Sequence, residues 1–586
     1  MFILPVDIME RIKGRLGRLY GEDKAPRLLE RLALLASRYD LCDLGCDNDA
    51  PRWDQTDVLL MTYADMIKSE REPPLHTLYR FLENHLNNVI HDVRILPFFP
   101  ASSADGLDII DFRQVDPALG SWDDIHVLAR EFRLGFDLVI SHASIQSEWF
   151  HRFQSGVAPE RGYFIVMDPQ TDLGTVMRPR TTPLLTGVET PCGKRWVCAT
   201  FGPGAADLNF SNQDVLFEFL DIALFYVKNG ARIIQLDNLA YLWKDPSGPC
   251  IDLPQNHEVV QLIRDVLQML APNVLLLAET DLPAARNLGY LGAGHEAHMV
   301  YQFCLSALLL KTFYTGSAAG LSHWAAGLPP PPEGCTYINV TATQDGIRLR
   351  PLEGVLPQEE IDELVGEVKR RGGLVSYGTD ATGAEVPYEL HISYFDALAK
   401  PGHPDTVGQI ARFLCTQTIM LSLRGIPAVY FHSLTATHSD HAAVEHTGDP
   451  RAINHRRWNE QRLHAQLAEP TATPHRIFHE YVRRIRLRSS HRAFHPDGGQ
   501  RVLDLGDTLF CLERTAPDGS ERILVLANVS PEPQRVLGEQ IAGEGDEGVW
   551  HELIKGYETE VHAGSSLDLV PYELVWLVKP PHRDGA

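Results

Sequence analysis

A chain of 586 residues with 44% hydrophobic and 22% charged residues has ordinary globular composition and is long enough to bury a large core across several domains. Its formal net charge of −24 argues against nucleic acid or an anionic membrane as partner, because such a surface repels both. Nine scattered cysteines form no disulfide framework and point to a reducing cytoplasm.

The opening MFILPVDIMERIKGR holds too short an apolar stretch for a signal peptide, and no apolar run of about 20 residues follows, so no span is expected. Residues 1–55 show helical apolar spacing, as in APRLLERLALLASRY, and read as a helical extension suited to packing or to oligomer contact such as a homodimer. Cys42 and Cys46 in CDLGC lack the second pair or histidines of a zinc site. No metal and no cofactor is expected.

From residue 56 short apolar runs alternate with amphipathic ones: DVLLMTYAD, LHTLYRFLENHLNNVI, VRILPFFP, SWDDIHVLAREF, FDLVISHAS. That alternation predicts a parallel α/β sheet. It covers 56–154, breaks over 155–210 in a Pro-, Thr- and Gly-rich insertion, and resumes over 211–352 with RIIQLD, NVLLLAE and TYINVTAT. An irregular insertion of such length is more often functional than accidental. A second polar excursion occupies 353–400, PAVYF and a helical run complete 401–494, and 495–586 alternates as a small antiparallel β domain.

Asp237, Glu279 and Asp345 each lie within or just past one of the apolar runs. If the runs are parallel strands of one barrel, the three acids converge at its carboxyl-end mouth. Singly, each reads as a strand-end cap or a surface acid. Two carboxyls about 5–5.5 Å apart are what a retaining glycosidase needs, one as nucleophile and one as proton donor. Crowding of carboxyls favours a proton on one of them.

ILPFFPASSADGLDIIDFRQVDPALGSWDDI, FDLVISH, RIIQLDNLAYLWK, LLLAETDLP, EAHMVYQF, TATQDGIRLRPLEG and TGDPRAINH follow one another in an order that resembles the α-amylase family, glycoside hydrolase family 13, and within it the sucrose phosphorylase group, glucosylglycerate phosphorylase included. The resemblance implies a (β/α)8 TIM barrel with inserted irregular subdomains, the helical extension in front and the β domain behind. It implies that Asp237 is the nucleophile, Glu279 the general acid/base and Asp345 the transition-state stabiliser. His142, Tyr241 and Arg451 are implied in sugar binding, and Arg180 and Tyr388 in phosphate binding, where an arginine fork suits phosphate oxygens.

Four positions depart from the family pattern around one subsite. Gln235 replaces an arginine two residues before the nucleophile, and since strand positions 235 and 237 point to one face it is expected beside Asp237; Gln344 replaces a histidine before the stabiliser, and Ser141 an asparagine before His142. Ala104 stands where relatives place an aspartate that partners the arginine matching Arg451, so Arg451 is expected to lack its usual carboxylate. Each lost hydrogen bond to a substrate hydroxyl costs about 0.5–1.5 kcal/mol, or about 1.5–3 when charged. The expected partners are therefore a small sugar, sucrose-like or glucosylglycerate-like or with a modified glycosyl group, and inorganic phosphate. Hydrolysis or transglycosylation, and a degenerate sugar-binding barrel, remain the alternatives.

Overall fold

The computed structural model describes residues 6–39, 41, 51–402, 405–541 and 547–579; Cys42 and Cys46 lie outside them. Eight parallel strands close a barrel: β1 (Leu59–Thr62), β2 (Asp92–Ile95), β3 (Arg133–Val139), β4 (Ala231–Asp237), β5 (Leu275–Ala278), β6 (Met299–Gln302), β7 (Thr336–Val340) and β8 (Ile426–Tyr430). Neighbours in sequence pair throughout, and β1 pairs with β8 to complete the ring. The strands are short and almost wholly apolar because helices cover their outer face and packed side chains fill the inside.

The interior is not wholly apolar. Arg94 on β2, Asp137 on β3, Gln235 on β4 and Tyr301 on β6 are buried inside it. Arg94 forks onto both oxygens of Asp137 at 2.7 Å and donates to the Tyr301 hydroxyl at 3.1 Å. A buried charge survives only when paired in this way.

The extension forms two helices, α1 (Val6–Tyr20) and α2 (Ala25–Ala36). Ile8, Ile12 and Leu16 on α1 and Leu28, Leu32 and Leu35 on α2 are buried, the helical spacing that places each set on one face. Arg15 and Arg11 bond Asp265 at 2.7 and 3.1 Å, and Arg18 reaches Glu258 at 2.9 Å, so α1 is clamped to the barrel helix Pro254–Leu270. Of the two roles expected for the extension, packing is the one its contacts display.

Two insertions roof the mouth. Within 155–210 a hairpin joins Leu185–Thr190 to Gly193–Cys198, and Ala205–Asp207 pairs with His142–Ser144, which carries His142. The second contains helix Gln358–Arg370 and a three-stranded antiparallel sheet whose outer strand, Ile347–Arg348, precedes the expected boundary at 353. A bridge between Arg178 and Thr379 links the two. Behind the barrel a six-stranded antiparallel sheet spans Gly499–Val578. Among the described residues no helix is long and apolar enough to cross a membrane.

Candidate active site

Asp237 is the last residue of β4, Glu279 directly follows β5, and Asp345 lies in the turn after β7. The topology thus brings the three acids to one end of the barrel, and all are buried at 2–4% exposure. Asn238, held at φ +53°, turns the chain sharply after β4 and donates to Asp237 Oδ2 at 2.6 Å. Asparagine is among the few side chains that tolerate that left-handed geometry. Asp345 is held through its backbone: Asn454 donates to its carbonyl at 2.8 Å, and His455 lies 3.0 Å from the carbonyl of Gln344.

The electrostatics separate the acids. Burial, then Glu279, Asp137 and Asp345 in turn, push the Asp237 carboxyl well above its ordinary range, with Arg348 opposing. Burial also pushes Asp345 up, but Arg451 and Arg348 overcome it and hold that carboxyl well below the usual range. Both oxygens of Glu279 accept hydrogen bonds, Oε2 from the Gln235 amide and Oε1 from Arg348.

Two expectations change. Gln235 faces Glu279 rather than Asp237, and its carbonyl accepts from the Tyr301 hydroxyl at 2.9 Å. Ala104 is exposed. Its neighbour Asp105 turns inward instead and lies 3.3 Å from Arg451, which also meets Glu389 at 3.2 Å and Asp345 at 3.4 Å. Arg451 therefore has three carboxylates, and the predicted loss of its partner is corrected. A one-residue offset in a turn reverses which side chain faces inward, and turn registers are weakly specified by sequence.

His142 is buried, 2.9 Å from the Ser141 hydroxyl through Nδ1, with its ring against Phe201. Gln344 donates to Asp345 Oδ2 at 3.1 Å. Tyr241 and Tyr388 both donate to Asp281 Oδ2, at 2.7 and 2.6 Å, and Arg350 joins them at 3.1 Å. These two tyrosines thus form one cluster beside the acids. Arg180 is half-buried, and its one hydrogen bond runs to the carbonyl of Pro179 at 3.0 Å. The neighbouring Arg451 and then burial lower its pKa, and an anion beside it would oppose both.

Several buried polar atoms around the acids have no hydrogen-bond partner among the described residues: Gln344 Oε1, Glu389 Oε1 and Asp281 Oδ1. Buried polar atoms are normally satisfied, so a cluster of exceptions fits a ligand rich in hydroxyls. Sequence reasoning missed Arg94, Asp105, Arg348 and Glu389. Arg94 stood out as a charge inside the apolar VRIL, and Arg348 as an arginine three residues after Asp345. Glu389 carried no comparable signal.

Residues 89–321 match the family model of the alpha amylase catalytic domain. The chain is 40% identical to a glucosylglycerate phosphorylase of Allomeiothermus silvanus, over 99% of this chain and 100% of that one. It is 36% identical to a glucosylglycerate phosphorylase of Escherichia coli K12, covering 90% and 92% respectively. The crystal structure of a sucrose 6F-phosphate phosphorylase from Thermoanaerobacter thermosaccharolyticum superposes with a TM-score of 0.72 at 21% identity, over 90% of this chain and all of that one, a likeness of fold. With its acids on β4, β5 and β7 and end-to-end identity of that level, the chain belongs to the glucosylglycerate phosphorylase family, within the α-amylase family, glycoside hydrolase family 13.

Proposed function

We propose that the protein is a retaining α-glycosyl phosphorylase acting on a small α-glucoside of the glucosylglycerate or sucrose kind. The observation that carries this reading is a carboxylate triad at the barrel mouth with Arg180, which among the described residues forms no salt bridge, beside Arg451. Asp237 attacks the anomeric carbon as the glycosidic C–O bond breaks, and Glu279 passes its proton to the departing oxygen. Phosphate then attacks the glycosyl-enzyme, releases Asp237 as a carboxylate and gives the α-sugar 1-phosphate, its proton returning to Glu279. The substrate nucleophile arrives already anionic, so the second step asks less of a base than hydrolysis does.

Arg180 is the residue on which phosphate as acceptor rests. Arg180→Ala raises the KM for phosphate about 10- to 100-fold, the equivalent of one charge-assisted hydrogen bond at about 1.5–3 kcal/mol. Initial rates against phosphate concentration check it; an unchanged KM would remove Arg180 from the phosphate site. With a panel of α-glucosyl and other α-glycosyl donors, sugar 1-phosphate forms only when phosphate is present. Equal donor cleavage without phosphate favours hydrolysis, and saturable sugar binding with no turnover favours a binding protein. Gln235→Arg alone does not create efficient sucrose cleavage, since Gln344 also departs from the family pattern; efficient cleavage by that variant would show that Gln235 alone sets selectivity. A cytoplasmic setting completes the reading, supported by the free thiols of the seven described cysteines.

A further inference from the structure

We propose that Arg348 is a positioning residue of this reaction: one guanidinium holds the acid/base Glu279 and the stabiliser Asp345 together, and supplies from the roof the positive charge that Gln235 does not supply from β4. The inference rests on the phosphorolysis reading above for its catalytic meaning, but not for its geometry.

Arg348 sits on the two-residue strand Ile347–Arg348 and is 6% exposed. Its Nη2 donates to Glu279 Oε1 and, at 3.1 Å, to Asp345 Oδ2. Its Nη1 reaches the carbonyl of Thr280 at 3.4 Å, and the guanidinium lies over the Phe303 ring at 4.4 Å. Backbone, aromatic face and two carboxylates therefore fix the fork from several sides, where arginine loses little freedom per bond made.

The other cations nearby are committed elsewhere. Arg94 lies 3.8 Å from Glu279 but spends its fork on Asp137. Arg451 divides itself among Asp105, Asp345 and Glu389. Across Glu279 from Arg348 stands Gln235, a neutral donor whose orientation Tyr301 fixes. Glu279 is thus gripped by one charged and one uncharged side chain, and the charge comes from the segment after β7. Arg348 is also the cation that opposes the upward push of burial and neighbouring carboxyls on Asp237.

This arrangement has a consequence during turnover. When Glu279 releases its proton to the leaving oxygen it becomes a carboxylate in a buried site, and Arg348 already donates to the oxygen where that charge develops. Preorganised charge of this kind lowers a barrier because nothing must reorient as the proton moves. Arg348 itself keeps its proton throughout.

The test uses Arg348→Met, which keeps length without charge, and the double variant Arg348→Met/Gln235→Arg, which returns a cation to Glu279 from β4. Infrared spectra at pH 7 read the protonated-carboxyl band, to which only buried acids contribute, and need no substrate. Arg348→Met is expected to intensify that band and the double variant to reverse the gain. In phosphorolysis of glucosylglycerate, the single variant loses about 100-fold in kcat, the scale of one preorganised donor, with KM moved far less, and the double recovers at least about tenfold. An unchanged band in Arg348→Met, or a double variant indistinguishable from the single in both measurements, overturns the proposal. If the wild-type protein turns over no glycosyl donor, the phosphorolysis reading fails while the infrared comparison still decides Arg348. If Arg348→Met does not fold, Arg348→Lys keeps the charge and loses the fork: the expected result is an unchanged band with a lowered kcat, and a wild-type kcat overturns the positioning role.

Discussion

Asp237→Asn lowers kcat for the cognate donor by roughly 10⁴- to 10⁶-fold, the range seen when a nucleophile is removed from machinery that acts as a unit. The amide is close in size to the carboxyl, so the pocket keeps its shape while the covalent route is lost. The expectation is specific because Asp237 ends a barrel strand, beside Glu279 and under the same roof. Glu279→Gln is expected to separate the steps. A donor with a natural alcohol leaving group is cleaved very slowly, whereas a glycosyl fluoride, whose leaving group needs little proton help, still loads the enzyme. Mass spectrometry of a Glu279→Gln digest treated with α-glucosyl fluoride should find the sugar on the peptide containing Asp237. A loss below about tenfold in Asp237→Asn, or a label on a different peptide, sinks the nucleophile assignment.

Arg451→Met destabilises the fold by about 3–5 kcal/mol, the cost of removing one partner from a buried ionic cluster. One guanidinium serves Asp105, Asp345 and Glu389, and the substitution leaves all three carboxylates in a low-dielectric site without it. Denaturant unfolding measures this, and a shift under about 1 kcal/mol would show that the cluster relaxes freely. The pH dependence has a definite sign. Asp345 is held below its unfolded value of 3.8, so it contributes stability that is complete above that pH and is lost as pH falls further. In Arg451→Met the strongest cation acting on Asp345 is gone, so its contribution to stability falls and the acid limb flattens. A wild-type acid limb in the variant would mean that Arg348 alone holds Asp345.

Much of this protein was legible before folding. Strands such as RIIQLD and NVLLLAE announce themselves because a parallel strand buried on both faces must be apolar throughout. The acids at their ends are conspicuous because charge there has to face a mouth or water. MVYQF illustrates the limit: it was recognisable only as part of an ordered set of motifs, since a four-residue run carries too few residues to distinguish strand from buried helix. It is β6, and its Tyr301 fixes Gln235.

What sequence determined by itself is the inventory and its ring order: three acids, Arg180 on the first insertion, Arg451 near the end of the barrel, and strands arranged so that β4, β5 and β7 deliver their ends together. Only the tertiary structure decided the pairings. It decided that Asp105 rather than Ala104 faces inward, that Arg451 has three carboxylates, that Gln235 serves Glu279 rather than Asp237, and that Arg348 comes down from the roof onto two of the acids. The physical reason is that strand periodicity is local, set by the pleat and by burial, whereas an ion pair between residues 69 apart, as Arg348 and Glu279 are, depends on where a roof built from another part of the chain comes to rest.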